Sequence, residues 1–420
     1  MKVGVLIARH RRVLLILLGN LVAALIVLSS IQAQDASGYM YGKVRTSEAT
    51  YTGQIRWGSE EAFWSDFFNA AKIADKYYQQ ILKENSAPEE VEFWEDINWN
   101  LSSIWEDKGN LTHEFATQFG NIASIINTSK YRATLRLKNG VELELSGRGY
   151  NDIGTKIVVY DDEVGKVEIS WYRMREVEFL DTPKDLHVSG GNPIFGTIDT
   201  FRAGSFTGYI QWDHDERLGD EKLDGDTRDG DLSIPFRQIK SIEKEQNGSY
   251  VVLNSGRDFF LTGSNDVNSQ NRGIIVTVPD IGRVDIPWKV FRSATFEQVK
   301  SSGPAYKTYR VPKGLSGAVY TFDGDKIEGR IIYDIDEAWE VETLDAKDYG
   351  IEYTIPFSNI KAVIPKNDDF STIVFRNGDK VILGGVRDVS DRNDGALIFK
   401  PNKKDPDYVP WKDIAEIVFD

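Results

Sequence analysis

Apolar and polar residues alternate in short runs along most of this chain, and glycine turns separate the runs, which predicts half-buried β-strands. Leu135 and Leu137 alternate with polar neighbours, and Leu143 and Leu145 resume the alternation after Asn139-Gly140. That dipeptide offers the positive φ of a tight hairpin. Val381 and Leu383 follow Asn377-Gly378 in the same way. Val284 and Ile286 flank Asp285, and Pro287, lacking a ladder donor, ends that strand. Trp288 and Phe291 are spaced for one tight turn, after which Ala294 and Phe296 return to a period of two. The prediction is strand, short 3₁₀ turn, strand.

That segment occurs three times. "VEISWYRMREVEF", "VDIPWKVFRSATF" and "YVPWKDIAEIVF" place Trp171, Trp288 and Trp411 at separations of 117 and 123 residues. A second anchor, "FGNIASI", "FRQIKSI" and "FSNIKAV", recurs at 117 and 121. Between the anchors each copy has a strand, a glycine turn and a strand, then Asp152-Ile153, Asp266-Val267 or Asp388-Val389. Agreement at so many offsets makes the chain a tandem repeat of about 120 residues. The front half of each copy repeats the plan of the back half, ending in "IPFRQIKSI" where the back half ends in "IPWKVFRSATF".

The expected fold is mainly β: three tandem repeats, each made of small SH3-like barrel halves whose bottoms Trp171, Trp288 and Trp411 plug. The "L-x-N-G-x-x-L-x-G" hairpin closing on "I-P-W-x-x-I-x-x-I-x-F" resembles the small barrels of uncharacterised exported bacterial proteins. The resemblance is at the level of fold and implies no activity. Repeat 1 is assigned to residues 38–180, repeat 2 to 194–296 and repeat 3 to 315–420, with linkers at 181–193 and 297–314. Because each repeat carries both closures, residues 190–300 are expected to fold alone. Repeat 1 departs from the others by a helical insertion at about 58–118. Phe63, Phe67, Ala71, Ala74, Tyr78 and Ile81 have helical spacing, and Pro88 suits the start of a second helix bearing Val91, Trp94, Leu101 and Trp105.

Charge and composition narrow the function. Arg9, Arg11 and Arg12 precede an apolar run from Val13 to Leu28, and small residues lead to Ala33. This is the layout of a signal peptide at 1–33, with an uncleaved N-terminal anchor as the alternative. Without residues 1–33 the net charge is −19. Such an acidic surface argues against nucleic acid as a partner. The absence of cysteine excludes disulfide-stapled modules and fits a bacterial periplasmic or extracellular setting. No later segment is apolar enough to span a membrane.

Catalytic motifs are absent. His113, His187 and His214 stand in unrelated contexts, and there is no nucleophile elbow, phosphate loop or zinc-protease helix. Trp57, Trp212 and Tyr333 share strand faces with Ile55, Ile210 and Ile331, which places them in the core. Trp94, Trp99, Trp105 and Trp339, unexplained by the repeat, are the candidate binding residues. The acidic stretch 213–231 offers Asp224, Asp226, Asp229 and Asp231 as candidate Ca²⁺ ligands, although the EF-hand spacing fails. A solvated acidic loop is the simpler expectation, with no cofactor. The expected function is a non-catalytic exported binding or scaffold protein for an envelope protein or glycan. A carboxylate-dependent hydrolase of envelope polysaccharide is the alternative.

Overall fold

The structure, a computed structural model, describes residues 35–85, 112–150 and 152–420. It is mainly β. The segment of repeat 1 contributes β1 (Tyr41–Thr46), β2 (Thr50–Trp57), β3 (Phe67–Ile73), α1 (Lys76–Asn85), β4 (Thr112–Gln118) and β5 (Ile122–Ser129). It continues with β6 (Arg132–Leu137), β7 (Glu142–Ser146), β8 (Ile157–Asp161), β9 (Gly165–Ile169) and β10 (Met174–Phe179). Next come β11 (Phe195–Thr200), β12 (Ser205–Trp212), β13 (Lys222–Thr227), β14 (Gly230–Pro235) and β15 (Ile239–Glu245). Then follow β16 (Gly248–Leu253), β17 (Asp258–Leu261), β18 (Ile274–Val278), β19 (Gly282–Ile286) and β20 (Phe291–Phe296). The last segment has β21 (Ser316–Thr321), β22 (Lys326–Tyr333), β23 (Thr343–Asp348), β24 (Ile351–Pro356) and β25 (Ile360–Pro365). It ends with β26 (Phe370–Phe375), β27 (Lys380–Gly384), β28 (Ala396–Phe399), β29 (Asp407–Val409) and β30 (Ile414–Phe419).

In the first segment the strands form one antiparallel sheet in the order β4-β3-β7-β6-β5-β10-β1-β2-β8-β9. The contact between β5 and β10 divides it into two halves of five strands. In each half the outermost strand runs through a tight turn into the innermost one. Thus β4 leads through Phe119–Asn121 into β5, and β9 leads through the Trp171 turn into β10. One half, β3 to β7, is inserted between β2 and β8 of the other. The equivalent pairings recur in the other two segments, where β20 joins β11 to β15 and β30 joins β21 to β25.

Aromatic side chains fill the seam between the halves. Trp57, Trp212 and Tyr333 are fully buried. Each meets the tryptophan of its own closing turn: Trp57–Trp171 at 6.3 Å, Trp212–Trp288 at 6.1 Å and Tyr333–Trp411 at 6.1 Å. Phe119, Phe236 and Phe357 pack on the same rings from the other half. The Asp-Ile/Val motif secures them. The Trp57 and Trp212 indole N–H groups donate to the carbonyls of Asp152 and Asp266 at 2.9 Å, and the Tyr333 hydroxyl donates to that of Asp388. The carboxylates of these aspartates accept the backbone N–H of Asn69, Asp224 and Asp345, so one residue holds both halves.

The insertion differs from the sequence expectation. Residues 67–73 form strand β3, and the helix begins only at Lys76. Both faces of β3 are largely buried, which puts apolar residues at helical spacing without a helix. The extra chain therefore lies between β3 and β4, where the other segments have tight hairpins β13–β14 and β23–β24. Tyr78, Ile81 and Leu82 of α1 pack on Ile332, Ile335 and Leu397. The second expected helix, with Trp94, Trp99 and Trp105, lies outside the described residues, as does the signal at 1–33. Among the described residues no helix is long and apolar enough to cross a membrane.

Buried and partly buried ion pairs join the segments. Arg217 donates to Asp66 through Nε at 3.1 Å, and its side chain is 1% exposed. Reciprocally, Arg56 meets Glu221 at 2.5 Å. Asp66 and Glu221 occupy equivalent positions, each also accepting two backbone N–H groups of its own turn. Lys72 pairs with Asp336 and Glu342 of the third segment. The second and third segments instead share a ladder, β19 with β24, and one continuous apolar core. The stretch 297–314 crosses back over repeat 1, where Tyr306 packs on Trp64 at 4.4 Å.

Candidate functional site

The turn after β2, β12 and β22 requires a left-handed residue. Gly58 supplies it in repeat 1 with φ 62°, whereas Asp213 and Asp334 adopt φ 50° and 48°. Their carboxylates offset the strain. Asp213 accepts from Arg272 and Asn265, and Asp334 from Arg387 and the N–H of Asp394. The next residue is also left-handed in the second and third segments. There it is Ile335, buried under α1, or His214, whose Nε2 lies 2.9 Å from Asp285 Oδ1.

His214 and Asp285 form one wall of a cleft of about 350 Å³ between the first two segments. Gln211, Thr277 and Arg283 belong to the same wall, and Glu60, Glu61, Phe67, Asn69, Glu114 and Tyr150 face them from repeat 1. Arg283 organises the floor. It donates to Asn69 Oδ1 at 2.8 Å and to Thr354 Oγ1 at 3.2 Å, touching all three segments, with its guanidinium over the Phe67 ring. Two acids share this cation. Burial raises Glu114 although Arg283 opposes the shift, and burial with Glu114 pushes Asp345 up to about 7. The cleft holds more carboxylates than cations.

Glu61 lines both this cleft and a smaller one of about 120 Å³ with Asp152. Burial and then Asp152 raise Glu61 well above the ordinary range. Asp152 is pushed up to about 6 by burial, opposed by hydrogen bonds from Asn69. A raised carboxylate pair is a common mark of catalysis. Here the repeat supplies an internal control. Burial and then Asp266 raise Glu216 to about 8, and burial, Asp336 and Asp388 raise Glu337. The pair thus recurs in every segment and belongs to the architecture. His214, Arg283, Glu114 and Tyr150 distinguish the cleft.

Trp94, Trp99 and Trp105 lie outside the described residues, and the other residues singled out from sequence lie away from the cleft. Trp339 is half-buried against the core of repeat 1, and its backbone N–H donates to Glu342 at 2.9 Å. Asp224, Asp226, Asp229 and Asp231 lie on the β13–β14 hairpin, where Asp226 stands opposite Asp231 and Asp224 accepts from Ser233. Among the described residues no group of three or more His, Cys, Asp or Glu side chains could hold a metal ion. The acidic stretch keeps these four carboxylates exposed but is a hairpin rather than a loop: Leu218 and Leu223 are buried, and a Cβ at Gly225 would come within 2.9 Å of Leu261. No protein-family model matches the chain, and neither a curated protein nor a solved structure is similar to it.

Proposed function

We propose that this is a non-catalytic, exported binding protein of the bacterial envelope, and that the cleft between its first two repeats takes a cationic group of the partner. The excess of carboxylates around Arg283 carries this reading, because an entering amine would neutralise acids that burial now disfavours. The export pattern at 1–33 supports the envelope setting. Walls tied together through Arg283 favour a pre-formed binding site over a closing one.

Calorimetry with short glucosamine oligomers, their N-acetylated counterparts and trilysine tests the proposal. Binding of the amine-bearing probes should weaken with salt and fall at least about tenfold in Glu114→Gln. Equal binding of acetylated and free-amine oligomers, or no binding of any probe, would remove the charge argument. Shortened oligomers after incubation would transfer the site to the hydrolase reading, with Glu61 and Asp152 as its acids.

A further inference from the structure

The ladder between β19 and β24 is the one strand pairing between segments among the described residues, and it has an unused counterpart. Arg283 stands opposite Thr354, Val284 opposite Tyr353 and Asp285 opposite Glu352. The equivalent of β19 in repeat 1 is β9, "GKVEI" against "GRVDI". The equivalent of β24 in repeat 2 is β14, "GDLSIPF" against "IEYTIPF". Among the described residues β9 pairs only with β8, and β14 only with β13. Each keeps one edge open among the described residues. Docking accounts for the difference in burial: Val284, Ile351 and Tyr353 are buried, while Val167 and Leu232 are half-buried and Gly230 is exposed.

Where an edge is covered by something else, the docking sequence is absent. In repeat 3 the equivalent of β19 is β29, "DYV", which lies against α1. In repeat 1 the equivalent of β24 is β4, "HEFAT", which lacks the Ile-Pro-Phe ending and lies beside β23, with Thr117 donating to the Val341 carbonyl. Of the four strands equivalent to the two sides of this joint in the other segments, β9 and β14 retain its sequences and β29 and β4 do not.

We propose that β9 of one molecule pairs with β14 of a second copy, in the register of the internal joint. Lys166 then faces Ser233, Val167 faces Leu232 and Glu168 faces Asp231. Lys166 approaches Asp224 as Arg283 approaches Asp345 in the internal joint, where that cation opposes the rise that burial and Glu114 impose on the acid. Charged residues commonly guard edge strands against such pairing. They do not prevent it here, since Asp285 and Glu352 stand opposite each other in the formed joint. The contact is heterologous, with different surfaces on the two partners, so it propagates head to tail into a ring or a filament.

The chain has no cysteine, so introduced thiols report the contact directly. Purified Val167→Cys and Leu232→Cys chains, mixed and mildly oxidised, should give a disulfide-linked dimer, and each alone should not. The double variant should give a ladder of multimers. Without thiols, sedimentation should show concentration-dependent association, at least about tenfold weaker in Lys166→Glu, whose exposed side chain leaves the fold intact. A monomer at every concentration, equal cross-linking within either single variant, or a disulfide closed within one chain would overturn the proposal.

Discussion

Single residues show how the same position is reused. The glutamate four residues past the end of β2, β12 and β22 is buried as Glu61 and Glu337 and half-buried as Glu216, and Glu216 Oε2 has no hydrogen-bond partner among the described residues. Glu216 keeps its proton in the folded chain up to about pH 8, whereas its ordinary value is 4.5. Between those limits unfolding releases a proton, so stability falls as pH rises. Glu216→Gln should therefore leave the urea midpoint unchanged at pH 5 and raise stability at pH 8 by about 1–3 kcal/mol. The same difference at both pH values would mean that Glu216 titrates as an ordinary glutamate. Alternation with Ile55, Ile210 and Ile331 makes Trp57, Trp212 and Tyr333 legible as core. His214 is not legible in this way, because nothing local marks it. Its signal lies in the alignment of the repeats, where Ser59, His214 and Ile335 occupy the most variable position of a turn whose glutamate is constant.

At the scale of elements, strands and hairpins follow from alternation and Asn-Gly turns, but the insertion does not. A strand buried on both faces has no alternation to read, so β3 carries the spacing of a helix. The opposite error occurs at β13, whose Asp-Gly composition suggests a loop although Leu223 and Gly225 face the core. The linker at 297–314 is likewise more than a spacer. Tyr309 lies so close to Gly120 that a Cβ there would stand 2.4 Å from its ring. Repeats 2 and 3 have Arg237 and Ser358 at the equivalent place. Gly120→Ser, a residue the repeat itself accepts elsewhere, should cost about 1–3 kcal/mol in a chemical melt. Tyr309→Ala in the same chain should recover part of that loss. An unchanged midpoint in Gly120→Ser would show that the linker is not held against this turn.

On the scale of the whole molecule, the period of the repeat is legible because buried aromatics and glycine turns recur in one register. The joints between repeats are not, because they are made of different things. Repeats 1 and 2 meet through Arg217–Asp66 and Arg56–Glu221, ordinary residue types whose pairing depends on the fold. Repeats 2 and 3 meet through the β19–β24 ladder and a shared core, with Phe206 and Tyr353 at 6.2 Å. Excising residues 190–300 bares the fully buried Val284 and leaves β19 without its partner. Burial of a side chain of that size contributes about 1.5–3 kcal/mol, and an open apolar edge invites pairing with another chain. The fragment 190–300, complete in sequence terms, should therefore self-associate and melt below the fragment 190–420. The longer fragment keeps the ladder and the shared core and loses the polar and packing contacts to repeat 1, so it should remain a cooperative unit. Circular dichroism melts with sedimentation of both fragments decide the matter. A monomeric 190–300 with the melting temperature of 190–420 would mean that each repeat is energetically independent and that the ladder adds nothing to stability.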